Sequence, residues 1–333
     1  MNQSQFLSQC TADALRDAAK KLAQGALVAF PTETVYGLGV DATNHDAVTR
    51  MYAVKGRPAD HPVIVHVSSM QAIGQWAIDI PDYAIALARK YWPGPMTLIL
   101  KRSELAGDFV TGGQDSVGIR VPDHKVALAL LATFESIGGK GVAAPSANRF
   151  GHLSPTSASA VFHELSDYFG DADVILDGGS CEVGVESTII DCTGDLPRVL
   201  RPGAISPKMI ANATGVAIEQ IYANYMSDDG VNNAAADDIR VSGSLENHYA
   251  PDARVSLDVV PTVGQGFIAL ASIDTPTGVI RLGSPVNDEE FARILYSSMR
   301  NADDQGLTEI VVAQPVGDGI ALAIRDRLKR AAH

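Results

Sequence analysis

ALVAF at residues 26–30 runs directly into PTETVYGLG at residues 31–39, and this stretch predicts the start of an α/β fold. An apolar run of this length is typical of a buried strand, and the proline after it ends the strand. Two threonines and two glycines follow. Because glycine has no β-carbon, it lets the backbone approach another group closely. We therefore predict a turn after the strand, where hydroxyls and backbone come close to a bound molecule.

Two cations follow within one helix length, Lys55 and Arg57, in KGRP at residues 55–58. Hydroxyls, exposed backbone amides and a lysine–arginine pair are the groups that an anionic small molecule requires. An ordinary turn and two surface cations explain the same residues. This stretch alone leaves both interpretations open.

Strand-like runs alternate with helical patterns along the first 210 residues. This alternation favours an α/β domain with a twisted, partly parallel sheet, whose ligand sites usually lie in loops at strand ends. The predicted strands are 26–30, 63–67, 96–100, 116–121, 141–144, 174–176 and 187–191, and the predicted helices are 11–24, 47–54, 83–91, 125–135 and 156–165.

The composition changes near residue 211, where small, polar and acidic residues become frequent. We predict a first domain at 1–210, a linker at 211–250 and a small α/β domain at 251–333. The last unit is predicted to contain strands at 254–260, 266–272, 278–282 and 309–313, and helices at 288–301 and 319–330.

The chain has 333 residues and a net charge of −13, which argues against broad, non-specific binding of nucleic acid. No apolar run approaches the ~20 residues of a membrane span, and no secretory signal is visible. The three cysteines lack metal-ligand spacing and are expected to be reduced thiols. These features predict a cytoplasmic protein.

Two arginines occupy unusual places. Arg120 lies inside the apolar run VGIRVP at residues 117–122, and Arg201 follows a leucine in LRPG at residues 200–203. A buried guanidinium is costly unless it is paired. Each of the two arginines therefore either pairs with a carboxylate of the protein or binds an anionic ligand. The residues alone do not decide between these two possibilities.

Further polar groups lie at predicted strand ends. APSAN at residues 144–148 places a hydroxyl and an amide two residues apart, and GVEST at residues 184–188 combines glycine with two hydroxyls. Turn stabilisation explains each motif equally well. A loose dinucleotide fingerprint at residues 37–42 is weak, and GGK at residues 138–140 fails as a phosphate loop. With no recognisable Ser-His-Asp or Cys-His set, the profile favours positioning and charge stabilisation of phosphates.

The motifs, in this order, closely resemble the YrdC-domain threonylcarbamoyl-AMP synthases. The matching strings span nearly all of residues 12–205, and HYAP at 248–251 with the unit after it resembles the longer, two-domain form. The resemblance implies an α/β fold: a YrdC-like twisted mixed sheet with helices, plus a small C-terminal Rossmann-like α/β domain. The strings are PTETVYGLG, KGRP, HPVIVHV, WPGPMTLIL, VGIRVP, APSAN, LDGG and GVEST.

The resemblance also implies a reaction. Members of this family condense L-threonine, bicarbonate (or CO₂) and ATP into L-threonylcarbamoyladenylate and release pyrophosphate. The product supplies N6-threonylcarbamoyladenosine in tRNA, and a separate tRNA threonylcarbamoyl transferase complex performs the transfer. Mg²⁺ is expected as a cofactor, held mainly by ATP phosphates and water, with no metal-ligating residues of the protein. No membrane and no strong direct nucleic-acid contact are expected.

The family's functional residues can be placed on this sequence. His61 departs from the pattern, since some relatives carry asparagine there, and Tyr249 predicts that the linker closes over the site as a lid. By resemblance, threonine is bound by Thr34, His66, Arg120, the backbone at Ala144, and Ser187. The nucleotide is bound by Arg57, His61, Ser116, Ser146, Ser154, Arg201 and Tyr249. The reaction centre is lined by Lys55, Arg57, Ser146 and Asn148.

Two other functions remain open at this stage. A non-catalytic RNA-binding module is disfavoured by the acidic total and by the absence of aromatic residues interleaved with basic ones. Carbamoyl transfer to another acceptor, as in the YrdC-like domains of hydrogenase maturation proteins, is disfavoured because this chain has no CxxC pairs.

Overall fold

The computed structural model describes residues 6–223, 239–242 and 249–332. Its larger unit is built on a ten-stranded sheet with the order β1-β8-β2-β3-β7-β4-β6-β5-β9-β10. The strands are β1 (Leu7–Gln9), β2 (Val28–Phe30), β3 (Gly37–Asp41), β4 (Ile64–His66), β5 (Met96–Lys101), β6 (Ser116–Arg120), β7 (Val142–Ala143), β8 (Val174–Asp177), β9 (Thr188–Asp191) and β10 (Arg198–Arg201).

The sheet is mixed. The neighbours β1–β8, β8–β2, β4–β6 and β5–β9 are parallel, whereas the other five pairs are antiparallel. In the pairing of β4 with β6, His66 lies directly opposite Arg120. The register therefore places two of the predicted site residues side by side.

Helices cover both faces of this sheet. Val28 and Phe30 of β2 pack against α1 and α6, while Ala29 between them faces the other cluster, which contains Trp76. This alternation follows from the two-residue period of a strand. The helices are α1 (Ala12–Ala23), α2 (His45–Lys55), α3 (Ile73–Trp76), α4 (Asp82–Tyr91), α5 (Asp108–Thr111), α6 (Lys125–Ser136), α7 (Ala158–Leu165), α8 (Pro207–Thr214) and α9 (Ile218–Ala223).

A smaller unit follows, with a four-stranded parallel sheet in the order β11-β14-β12-β13. Its strands are β11 (Arg254–Leu257), β12 (Gly266–Ile268), β13 (Ile280–Gly283) and β14 (Glu309–Val312), and its helices are α10 (Asp288–Asp304) and α11 (Ile320–Ala331). A buried cluster joins Val35 and Val185 of the larger unit to Phe291, Tyr296 and Leu328 of the smaller one. The two units therefore share apolar contacts.

The predicted α/β architecture with a second, small α/β unit is confirmed, and the differences are local. Gly37 and Gly39 lie in β3 and not in a turn; the turn is the segment before them, residues 31–36. Pro207–Thr214 forms α8 and Ile218–Ala223 forms α9, although most of these residues were predicted as linker. The rest of the predicted linker, including the histidine of HYAP, lies largely outside the described residues. None of the described helices is long and apolar enough to cross a membrane.

The strand position of Gly39 has a physical reason. A β-carbon there would lie 2.8 Å from Phe30 Cε1 and 2.8 Å from Val142 Cγ1, closer than such atoms pack. Only glycine allows β3 to lie between its neighbours at this point.

We expect Gly39→Ala to lower the free energy of unfolding by about 1–3 kcal/mol, because overpacking displaces neighbouring side chains. Urea denaturation measures this change. Gly74→Ala is the matched control, since a β-carbon at Gly74 in α3 meets nothing within 4 Å. Equal effects of the two substitutions would contradict the steric explanation.

Candidate active site

A pocket in the larger unit brings together eleven of the fourteen predicted site residues. The free volume inside it is about 50 Å³, well below the roughly 300–1,000 Å³ of usual small-molecule sites. Part of its wall is formed by Ser242 and Tyr249, which lie between the two units in the chain. The predicted residues that line it are Thr34, Lys55, Arg57, His66, Arg120, Ala144, Ser146, Asn148, Ser187, Arg201 and Tyr249.

The PTETVYGLG segment reaches the pocket because its end pairs with the APSAN segment. Gly37 forms a bridge with Ser146, and the backbone N–H of Leu38 donates to the carbonyl of Pro145 at 2.8 Å. A β-carbon at Gly37 would lie 3.2 Å from the β-carbon of Ala144, so glycine permits this approach. The two motifs, which begin at residues 31 and 144 of the sequence, form one wall.

Hydroxyls fix the turn between β2 and β3. Thr32 Oγ1 lies 2.8 Å from Thr34 Oγ1 and donates to the carbonyl of Val35 at 2.6 Å. Both threonines line the pocket and are buried. The Thr34 hydroxyl is therefore held in place by its neighbour before any ligand arrives.

Lys55 ends α2, and Gly56 follows it with φ 64°, a left-handed conformation that favours glycine. Lys55 is 1% exposed, and its Nζ donates to the carbonyls of Ser146 and Asn148. Burial, and then the charge of Arg57, lowers the pKa of Lys55 well below its usual value. The fold thus places a desolvated amine against the APSAN segment.

Arg120 is buried at the end of β6. Its Nη2 lies 2.6 Å from Glu33 Oε1 without the alignment of a hydrogen bond, and its Nε has no hydrogen-bond partner among the described residues. This edge of the guanidinium is the one that grips carboxylates through two parallel bonds. From the sequence, Arg120 could pair with a carboxylate of the protein or bind an anionic ligand. The structure shows a carboxylate of the protein, Glu33, beside Arg120, but this contact leaves these donors unsatisfied.

His66, beside Arg120, is 4% exposed, and its Nδ1 has no partner within the described part of the chain. Burial, and then the charge of Arg120, lowers the pKa of His66 from 6.5 to about 3. The imidazole is therefore neutral at physiological pH. It can offer a ligand a hydrogen bond but not a charge.

A second pair of cations lies at Arg57 and Arg201. Arg57 Nη2 donates to the carbonyl of Pro62 at 2.8 Å and to Ser242 Oγ at 3.1 Å, and Arg201 Nη1 donates to the carbonyl of Ser242 at 2.9 Å. Arg201 also donates through Nε and Nη2 to the carbonyl of Ser187, at 3.2 and 3.0 Å. The hydrogen bonds of both guanidinium groups thus go to neutral acceptors, and neither is hydrogen-bonded to a carboxylate among the described residues.

The side chain of Asn148 is oriented by two backbone carbonyls. Its Nδ2 donates to the carbonyls of Arg149 and His152, both at 2.8 Å. Its Oδ1 is buried and has no partner among the described residues. This carbonyl oxygen is available to accept a hydrogen bond from a ligand.

Three predicted site residues do not line this pocket. Ser154 is fully buried and donates to Glu186 Oε1 at 2.6 Å, and Ser116 faces neighbouring grooves together with Arg240. His61 contacts Phe150 edge-on, with ring centroids 5.7 Å apart, and Phe150 does line the pocket. Their assignment to the nucleotide stays a prediction.

Sequence reasoning assigned no role to several residues of the pocket wall. Thr32 and Glu186 both lie in motifs that the sequence analysis identified. Glu186 could have been recognised as a pocket residue because it is the one carboxylate in GVEST. Phe150 and Ser242 carried no local signal, because only the fold brings them to the pocket. Within the described residues, no three of His, Cys, Asp and Glu cluster in a way that could hold a metal ion.

Comparison with known proteins identifies the family. A family model described as "Telomere recombination" matches residues 20–203, and one described as "Threonylcarbamoyl-AMP synthase, C-terminal domain" matches residues 205–333. The threonylcarbamoyl-AMP synthase of Pyrococcus abyssi is 38% identical over 95% of this chain and 93% of its own length. The chain belongs to the threonylcarbamoyl-AMP synthase family.

Other members of the threonylcarbamoyl-AMP synthase family agree in length and fold. The Bacillus subtilis relative is 35% identical over 96% of this chain and 92% of its own length. A crystal structure of P. abyssi Sua5 complexed with L-threonine superposes with a TM-score of 0.83 at 35% identity, covering 98% of this chain and 96% of that one. The resemblance to the two-domain form, predicted from the motifs, is confirmed.

The low pKa of His66 predicts an acid-sensitive fold. The unfolded chain binds a proton at His66 below pH 6.5, whereas the folded protein does so only near pH 3. Stability is therefore present above pH 6.5 and falls by about 1.4 kcal/mol per pH unit between these values. Urea denaturation at several pH values should give a shallower slope for His66→Gln than for the wild type.

His45→Gln is the matched control, because the His45 side chain is 65% exposed. We expect its stability to follow the wild-type pH dependence. A wild-type slope in His66→Gln would show that His66 is not the group that titrates.

Proposed function

We propose that this chain catalyses the formation of L-threonylcarbamoyl-AMP from L-threonine, bicarbonate or CO₂, and ATP, with release of pyrophosphate. The observation that carries the proposal is Arg120, whose buried Nε has no partner among the described residues, in a pocket that also holds Lys55, Arg57 and Arg201. One guanidinium suits the carboxylate of an amino acid, and the other cations suit phosphates. The protein is thus an enzyme of the nucleotidyltransferase type.

L-Threonine is expected to place its carboxylate on Arg120. Thr34 and Ser187 are within the same pocket and can read the substrate's hydroxyl and amino groups, and His66 adds a neutral hydrogen-bonding group. A site built to bond a hydroxyl strongly rejects an analogue without it, because its own polar groups are then left unpaired.

The chemistry has two bond-forming steps. The neutral amine of threonine attacks carbon dioxide, forms the N–C bond and loses a proton to solvent, which gives the carbamate. From bicarbonate, the amine proton leaves together with hydroxide as water, and the same carbamate forms. A carbamate oxygen then attacks the α-phosphorus of ATP, and the bond to pyrophosphate breaks. Because negative charge is concentrated on the phosphoryl oxygens, Lys55 and Arg57 are the proposed stabilisers.

Mg²⁺ accompanies ATP in the proposal but is not assigned to protein ligands. The described residues offer no cluster of metal-binding side chains, and Glu186, the carboxylate on the pocket wall, is already bonded to Arg327. These residues do not form a cage for the ion. We propose that the phosphates and water carry it, as is usual for magnesium.

We also propose that the product passes to a separate transferase that modifies tRNA, and that this chain does not itself bind tRNA strongly, since its net charge is −13. A cytoplasmic location and closure of the linker over the site are further proposals. Ser242 and Tyr249 in the pocket wall support the second of these.

The test of the reaction is an incubation of the protein with ATP, L-threonine and bicarbonate, followed by chromatography for pyrophosphate and the adenylate. We expect Arg57→Ala to reduce product formation by at least about 10²-fold, because one preorganised charge is removed from the phosphates. Arg16→Ala is the control, since this arginine is 60% exposed on α1. Normal turnover in folded Arg57→Ala would refute its role.

A failure of the wild type to form a bicarbonate-dependent product would instead favour the binding module. Electrophoretic mobility of RNA with the wild-type protein then distinguishes that function from an inactive enzyme.

A second prediction concerns the amino acid. Arg120→Lys retains the charge opposite Glu33 but loses the planar pair of donors, so the KM for L-threonine should rise by about 10- to 100-fold with a smaller effect on the KM for ATP. The wild type should use L-valine at least about 10²-fold less efficiently than L-threonine. An equal rise in both KM values would place Arg120 outside the threonine site.

A further inference from the structure

One arginine of the smaller unit reaches the back of the pocket wall. Arg327, on α11, has a fully buried side chain. Its Nε donates to Glu186 Oε2 at 2.7 Å and its Nη2 donates to the carbonyl of Pro202 at 3.1 Å. Its guanidinium carbon lies 5.3 Å from the ring centroid of Tyr249, within cation–π range. A single side chain therefore joins three separate segments of the larger unit and linker.

Each of these segments carries a pocket residue. Glu186 precedes Ser187, and Pro202 follows Arg201. Inside the pocket, Arg201 Nη2 donates to the carbonyl of Ser187 at 3.0 Å and to its Oγ at 3.2 Å. Ser187 and Arg201 are thus hydrogen-bonded to each other in the pocket wall. Glu186 and Pro202, which are adjacent to them in sequence, are hydrogen-bonded to Arg327.

Both oxygens of the carboxylate that Arg327 contacts accept hydrogen bonds from the protein. Glu186 accepts hydrogen bonds from Ser154 Oγ at 2.6 Å and from the Tyr296 hydroxyl at 3.0 and 3.2 Å, in addition to the one from Arg327. Burial alone would raise the pKa of Glu186, yet the charges of Arg327 and then Arg201 lower it to about 2. Glu186 is a permanent anion and serves as a fixed anchor, not as an acid or base.

Tyr249 is held in the same way. Its φ of 67° lies in the left-handed region, which is costly for a residue other than glycine. Its ring lies 5.9 Å from that of Tyr296 on α10 and faces the guanidinium of Arg327. The smaller unit therefore packs against the side chain of Tyr249.

We infer that Arg327 is a positioning residue of the active site, which aligns Ser187, Arg201 and Tyr249 for the nucleotide and L-threonine. The smaller unit is then part of the binding machinery although Arg327 does not line the pocket. The inference rests on the proposed function of the pocket. It assigns the nucleotide as the ligand most affected, since two of the three aligned residues are predicted to bind it.

The comparison that tests the inference uses two arginines that both cross between the units. Arg293 Nε, on α10, donates to the carbonyl of Glu182 at 2.9 Å, and neither residue lines the pocket. Arg293→Lys therefore weakens a contact between the units in which neither partner lines the pocket. Arg327→Lys retains the charge opposite Glu186 but replaces the two separate nitrogens that bond Glu186 and Pro202 by a single one.

Binding of a non-hydrolysable ATP analogue to the full chain is measured by calorimetry, together with the midpoint of thermal unfolding. We expect Arg327→Lys to raise the Kd at least about ten-fold while remaining folded, and Arg293→Lys to change it less than about two-fold. Equal weakening by the two variants would overturn the inference, because the arginines would then only dock the units. Unchanged binding by Arg327→Lys would overturn it as well.

A double variant separates positioning from stability. Arg327→Met alone leaves Glu186 as an unpaired buried charge and is expected to unfold at lower temperature, whereas Glu186→Gln/Arg327→Met removes both charges. We expect the double variant to regain most of the lost thermal stability but to bind the analogue at least about ten-fold more weakly than the wild type. Wild-type binding by the double variant would overturn the inference.

Product formation is measured separately from binding. A wild type that binds the analogue but forms no threonylcarbamoyl-AMP would contradict the proposed reaction, and the binding comparison would still decide the role of Arg327. A wild type that does not bind the analogue would overturn both.

Discussion

The pocket depends on three buried cations and one half-buried cation with few carboxylates beside them. Lys55, Arg57, Arg120 and Arg201 all line it, and Glu186 is the one carboxylate among the described residues that line it. Removing charges from water is expensive, so each must be compensated by something in the fold. The strands and loops around the pocket supply the groups that compensate for this desolvation.

Most of that compensation comes from neutral acceptors. Lys55 donates to the carbonyls of residues 146 and 148, Arg57 to the carbonyl of Pro62, and Arg201 to that of Ser187. A carbonyl satisfies a donor without cancelling its charge. The pocket therefore keeps a positive potential, although the whole chain carries a net charge of −13. Acidic composition and an anion site are compatible because the cations are gathered in one place.

The sequence predicted the parts of this site that lie in short motifs. PTETVYGLG, KGRP and APSAN each carry hydroxyl, glycine or cationic residues within a few positions, and the α/β alternation correctly placed most of them near strand ends. The sequence did not predict the strand β3, because glycine is a poor strand former. Glycine is required at residue 39 because Phe30 and Val142 leave no room for a β-carbon, and strand propensities contain no information on such contacts. The contact of Glu186 with Arg327 spans 141 residues, and only the fold reveals it.

The two glutamates near the pocket, Glu186 and Glu33, differ in how their charges are satisfied by hydrogen bonds. Glu186 accepts from three side chains, so its charge is consumed within the protein and Arg327 is satisfied by it. Glu33 lies 2.6 Å from Arg120, yet neither its oxygens nor Arg120 Nε make a hydrogen bond with the described residues. Buried donors left in this state are costly, and a ligand carboxylate would satisfy them. Since the unfolded chain cannot bind the ligand in this way, such a carboxylate stabilises the fold by mass action, in addition to being held for reaction. The Glu186–Arg327 pair is therefore hydrogen-bonded within the protein, whereas the Arg120–Glu33 pair retains donors that are not.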